Sequence, residues 1–157
     1  MPAELLVGVN SLAKENYYVN IARARPKRTV DPAKTTILIV EDDNTTRITL
    51  GMILSRGMGY KVRMANDVKT FVAALQARPL PDAVILDLEL PGGIGGFKIL
   101  AKIRAHPDLR QLPVVIFSGH SEPEDLESGI ALGADAYLSK PAKAEAIFAT
   151  LRAVLGG

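Results

Sequence analysis

From Thr35 onward the chain alternates two patterns, short unbroken apolar runs and longer stretches with apolar residues at helical spacing. Ile37-Leu-Ile-Val40, Ala83-Val-Ile-Leu86 and Val114-Val-Ile-Phe117 have no polar interruption, as expected of strands buried on both faces. Tyr60–Met64 and the short Ala136-Tyr-Leu138 complete a set of five predicted strands. Between them, residues 45–57 place Ile48, Met52 and Ile53 on one side and stop at Gly57 and Gly59, which predicts a helix closed by glycine. Helices are also predicted over Asp67–Ala77, with Asp67 or Asn66 as cap, over 97–105, over Glu122–Leu132 ending at Gly133, and over Lys143–Leu155.

Strict strand–helix alternation implies a parallel sheet with helices on both faces. Right-handed crossovers leave few topologies. The expected fold is therefore α/β, a doubly wound (βα)5 sheet of flavodoxin-like strand order 2-1-3-4-5, whose working crevice lies outside the carboxyl ends of the strands.

Residues 1–34 break this rhythm. Leu5, Leu6, Val9, Leu12 and Ala13 fit the spacing of a short amphipathic helix, and Arg23–Pro32 reads as an extended linker interrupted by Pro26 and Pro32. The expected division is an N-terminal basic extension over 1–34 and a folded domain over 35–157. Charge follows the same division: six basic residues face three acids in 1–34, whereas the remainder holds 13 basic and 14 acidic residues. Such an arm can meet nucleic acid or an acidic partner, but a solvated tail is the commoner outcome. The absence of cysteine excludes disulfides, thiolate metal sites and thiol catalysis. No apolar run approaches the ~20 residues of a membrane span, and no leader pattern opens the chain, so a cytoplasmic protein without membrane contact is expected.

Chemistry collects at the strand ends. The first strand runs into Glu41-Asp42-Asp43, three adjacent acids that repel one another unless a cation neutralises them. The third ends in Asp87, the fourth in Ser118, and the fifth is followed by Lys140-Pro141. Oxygen-only ligands suit a hard cation such as Mg²⁺. A carboxylate nucleophile beside a cation site, a hydroxyl and an ammonium has the parts required for phosphoryl transfer to Asp87. Each part alone is weak, since acidic runs are usually solvated loops. All of them falling at carboxyl strand ends favours the functional reading.

These stretches resemble the response-regulator receiver family over roughly 35–155. The matching segments are Ile-Leu-Ile-Val-Glu41-Asp42, Val-Ile-Leu-Asp87 with Pro91-Gly92, Val-Ile-Phe-Ser118-Gly119, and Ala-Tyr137-Leu-Ser-Lys140-Pro141. The resemblance implies that Asp87 accepts phosphate from a histidine kinase or phosphotransfer protein. It implies that Asp42 ligates Mg²⁺ directly with Asp87, that Glu41 acts through water, and that Glu89 offers its backbone carbonyl. It implies that Ser118 and Lys140 bind the phosphoryl group and that Tyr137 turns inward behind Ser118. The readout face is then built by the fourth helix, fifth strand and fifth helix, for a downstream protein target or a homodimer. The only chemistry implied is the chain's own phosphorylation and dephosphorylation. Glu89 and His120, two residues beyond Asp87 and Ser118, are the positions implied to tune loss of phosphate.

One segment departs from the pattern. Gly95 keeps the family's spacing of eight residues from the acceptor, but Gly96 follows it, and four glycines fill five positions from Gly92 to Gly96. Competing functions fit less well. A haloacid-dehalogenase-type phosphatase needs a second Asp where Glu89 stands, and a flavodoxin needs a Ser/Thr-rich loop where Glu41-Asp42-Asp43 stands. A degenerate receiver acting only as an interaction module is the main alternative. No DNA-binding module is legible after Leu155, so output is expected through a partner.

Overall fold

The computed structural model describes residues 5–10, 15–90 and 95–157. Strands β1 (Leu5–Asn10) and β2 (Glu15–Asn20) precede β3 (Thr36–Val40), α1 (Asn44–Met52), β4 (Lys61–Ala65), α2 (Val68–Gln76) and β5 (Ala83–Leu86). Then follow α3 (Gly96–Ala105), β6 (Val114–Ser118), α4 (Pro123–Ala131), β7 (Ala136–Ser139) and α5 (Ala144–Leu155). The described strands form one sheet of order β1-β2-β7-β6-β5-β3-β4. Its parallel part, β4-β3-β5-β6-β7, is the expected 2-1-3-4-5 order.

The sheet is buried on both faces, which is why its strands read as continuous apolar runs. Ile37, Ile39, Ile85, Val115, Phe117 and Leu138 meet Leu50 and Leu54 near α1 and Ile147 and Leu151 of α5. The alternate residues Leu38, Val40, Val84, Leu86, Ile116 and Tyr137 meet Phe71 of α2, Leu100 of α3 and Leu126 of α4. Local signals start the helices: Asp43 accepts the Thr46 N–H at 2.8 Å, and Asp67 accepts the Thr70 N–H at 2.8 Å.

Two expectations need correction. The helix begun at Asn44 turns Leu50 and Leu54 to the sheet and leaves Ile48 and Met52 exposed, then ends in a wider π-type turn over Ile53–Gly57. Gly57 permits this turn to sit against Phe148, whose ring would lie 2.9 Å from an added Cβ. The predicted amphipathic helix near the N-terminus is replaced by strand at 5–10, paired antiparallel with β2; Leu12 and Ala13 lie outside the described residues. Strand wins here because β2 finds a partner: Tyr17, Tyr18 and Val19 pair antiparallel with Leu138, Tyr137 and Ala136 of β7.

The basic segment that follows is docked on the domain instead of solvated along its length. Asp135, buried at the start of β7, receives Arg23 at 3.2 Å, Arg25 at 2.8 Å and Arg104 at 2.7 Å. Arg28 Nε donates to the Leu155 carbonyl at 2.9 Å. Burial lowers the Arg104 guanidinium to about 10, with the Asp135 charge opposing that effect. The arginines therefore neutralise a buried carboxylate, a role that depends on tertiary contact and is invisible in a local charge count.

Candidate functional site: an acidic rim at the carboxyl strand ends

Strand register builds the site. Val40 pairs with Leu86, so the next residues, Glu41 and Asp87, emerge side by side. Ser118 pairs with Ser139, so Lys140 leaves β7 beside the end of β6. Backbone bonds continue the alignment, with Asp87 N–H donating to the Val40 carbonyl at 2.9 Å and Lys140 N–H donating to the Ser118 carbonyl at 2.8 Å.

Carboxylate oxygens of Glu41, Asp42 and Asp87 all lie within 4.8 Å of one another. Glu41 and Asp87 are buried and Asp42 is exposed, so the group opens toward solvent on one side. Lys140 Nζ bonds Glu41 and stands 3.7 Å from Asp87 Oδ2. The ammonium lies over the Phe117 ring, 5.1 Å from the centroid, within range of a cation–π attraction. Burial raises the Glu41 carboxyl above its ordinary range, helped by the neighbouring Asp87 carboxylate and opposed by Lys140. Glu41 Oε2 is buried with no hydrogen-bond partner among the described residues. A buried carboxylate oxygen without a donor is costly, and a cation would satisfy it. Asp43 is engaged elsewhere: its carboxylate caps α1 and is held below the usual range by Thr46.

Backbone N–H groups hold two of the side chains. Glu89 N–H donates to Asp87 Oδ1 at 3.1 Å, and His120 N–H donates to the Ser118 hydroxyl at 3.0 Å. Above them the exposed side chains of Glu89 and His120 bond to each other. Tyr137 is fully buried, and its hydroxyl donates to the His120 carbonyl. Burial pushes that hydroxyl up to about 12, against the effect of a bond with Ser118.

The structure thus brings Glu41, Asp42, Asp87 and Lys140 together, sets Ser118 and Tyr137 on the neighbouring strands, and joins Glu89 to His120 at the mouth. Two glycines support the site: Gly96, one of the two loop candidates in the sequence, and Gly129, which carried no expectation. Gly96 lies so close under the Asp87 loop that a Cβ would meet Leu88 Cα at 2.6 Å and the Asp87 carbonyl at 2.8 Å, whereas Gly95 has open space. Of the two candidates the close approach therefore falls on Gly96 and not on Gly95, while residues 91–94 of the glycine loop lie outside the described residues. Gly129, in the middle of α4, leaves room for Ile116 and the Tyr137 ring, which a Cβ would meet at 2.9 and 3.3 Å. A glycine inside a helix costs ~1 kcal/mol relative to alanine, and that local penalty was the available signal of a packing role.

Comparison with known proteins agrees with this geometry. The family model for the response regulator receiver domain matches residues 37–152. The transcriptional regulatory protein AfsQ1 of Streptomyces coelicolor is 34% identical over 119 residues, 76% of this chain and 50% of that protein. The phosphate regulon transcriptional regulatory protein PhoB of Escherichia coli is 33% identical over 119 residues, 76% of this chain and 51% of that protein. The chain thus spans about half the length of these curated relatives. Among solved structures, a putative response regulator from Chloroflexus aurantiacus superposes with TM-score 0.72 at 32% identity, covering 78% of this chain and 98% of that one. The chemotaxis protein CheY4 of Vibrio cholerae does so with TM-score 0.69 at 29% identity, covering 77% and 98%. Register, rim and family model converge, and the chain belongs to the response regulator receiver family.

Proposed function

We propose that Asp87 accepts a phosphoryl group from a phosphohistidine on a kinase or phosphotransfer protein and thereby switches the binding of a downstream partner. The observation that carries this reading is the buried Asp87 carboxylate, 3.7 Å from the Lys140 ammonium and within 4.8 Å of the Glu41 and Asp42 oxygens. An Asp87 oxygen attacks phosphorus, the phosphorus–nitrogen bond of the donor breaks, and its electron pair leaves with the imidazole. Lys140 sits where it neutralises charge on the transferred oxygens, and the Ser118 hydroxyl is available to donate to them.

The donor set fits Mg²⁺: Asp42 and Asp87 as ligands, Glu41 through water, and the Glu89 carbonyl completing the set. The unpartnered Glu41 Oε2 supports that fit. Bound there, the ion would offset the negative charge of carboxylates and phosphoryl oxygens.

Residues 35–157 act as the receiver and 1–34 as an extension whose β2 pairs with it, in a cytoplasmic setting. Phosphate on Asp87 adds charge and acceptors that draw on Ser118 and Lys140, and the change reaches the face formed by α4, β7 and α5 with Tyr137 turned inward behind Ser118. The structure adds one fact about that face: β2 already pairs with the outer edge of β7. Phosphate uptake from a small acyl phosphate with Mg²⁺, read by intact mass, tests the assignment. The wild type is expected to gain one phosphate and Asp87→Asn none; uptake persisting in Asp87→Asn would overturn it.

A further inference from the structure

In a sheet that stopped at β7, Tyr137 would stand on an edge strand, with one side of its ring open to solvent. Here that side is closed by β2. Tyr18 pairs with Tyr137 in antiparallel register, so the two side chains lie on the same face as cross-strand neighbours. Tyr18 packs against the same apolar cluster that contains Tyr137, while Tyr17 packs against the cluster on the opposite face. Beneath the ring, Gly129 provides the space it occupies, and the hydroxyl is held by the His120 carbonyl. The result is a ring with no exposed surface. Strand β2 is itself anchored: the Asn20 side chain donates to the Ala134 carbonyl at 2.9 Å, its N–H donates to the Asp135 carbonyl at 2.9 Å, and Arg23 and Arg25 close on Asp135.

We propose that Tyr18 is a positioning residue for phosphorylation, acting through Tyr137: docked β2 holds the Tyr137 ring inward before phosphate arrives and so presets the switch. This rests on the reading of Asp87 and Tyr137 given above. Its thermodynamic content is reciprocity. If β2 docking and the phosphoryl group both favour the inward ring, each strengthens the other, and loosening β2 makes the site harder to phosphorylate. Phosphorylation would then do little to the Tyr137 ring in the wild type.

Ring NMR of ¹³C-tyrosine protein tests this directly. The chain has four tyrosines, so Tyr137→Phe identifies the signal, and Tyr60, buried in the opposite cluster, reports an intact core. In the unphosphorylated wild type, Tyr137 is expected in one environment that barely shifts when an acyl phosphate and Mg²⁺ are added. In Tyr18→Ala a second, solvent-exposed environment is expected, which phosphorylation abolishes, with the equilibrium affinity for beryllofluoride and Mg²⁺, a non-covalent stand-in for the phosphoryl group, lowered about fivefold. Tyr18→Phe, which keeps the ring, is expected to restore wild-type behaviour. An unchanged Tyr137 signal in unphosphorylated Tyr18→Ala would overturn the proposal, as would a Tyr137 shift on phosphorylation equally large in wild type and variant. Failure of the wild type to take up phosphate would overturn the Asp87 reading instead, leaving the two unphosphorylated spectra to decide whether Tyr18 positions Tyr137.

Discussion

Gly95 and Gly96 are adjacent and chemically identical, yet they have opposite tolerances. An alanine methyl at 95 enters open space, while at 96 it meets backbone atoms of Leu88 and Asp87 that cannot rotate away. Gly96→Ala is therefore expected to move the loop bearing the acceptor, slowing phosphate uptake at least ~10-fold, with Gly95→Ala within about twofold of wild type. Timed mass measurements of both variants check this, and equal rates would show that the loop absorbs the methyl. The Glu89–His120 pair belongs to the same scale. Its side chains are exposed and bonded to each other, and the same two residues hold Asp87 and Ser118 through their N–H groups. Alanine at either position is expected to change the phosphate lifetime several-fold, and to about the same extent, because each substitution breaks the same bond. Loss of label over time measures it; lifetimes unchanged in both variants would end the idea.

Among the elements, the parallel strands were legible and the hairpin was not, for one physical reason. Ile37–Val40, Ala83–Leu86 and Val114–Phe117 carry their burial in their own composition, because both faces of each strand are covered. The spacing of Leu5, Leu6 and Val9 satisfies a helix in so short a window, and only pairing with β2, itself held by β7, selects strand. The site divides in the same way. Asp87, Asp42, Ser118 and Lys140 were readable because a parallel sheet delivers every carboxyl strand end to one rim. The close approaches at Gly96 and Gly129 and the pairing of Tyr18 with Tyr137 are set by distances that no local pattern carries. The anchoring of the hairpin can be tested through Asp135. Asparagine there leaves Arg23, Arg25 and Arg104 without their common counter-charge, with Arg104 the most buried of the three. Asp135→Asn is expected to lower stability by about 3 kcal/mol in urea unfolding, the low end for a broken buried pair because Arg23 and Arg25 keep some solvent. A loss below ~1 kcal/mol would mean the arginines contribute little beyond surface pairing.

At the scale of the whole molecule, the sheet joins distant parts of the chain: Asn20 bonds Ala134, a partner 114 residues away. The parallel core assembles from strand–helix units close together in sequence, whereas the β2–β7 ladder must close a loop that encompasses nearly all of them. Contacts of such long range form slowly, and N-terminal segments are synthesised first. Tyr17–Val19 therefore leave the ribosome long before Ala136–Leu138 exist to receive them. The strand that closes over Tyr137 is made well before its partner and can pair only once β7 exists, so the Tyr137 ring is enclosed only after the strand–helix units between them have been made.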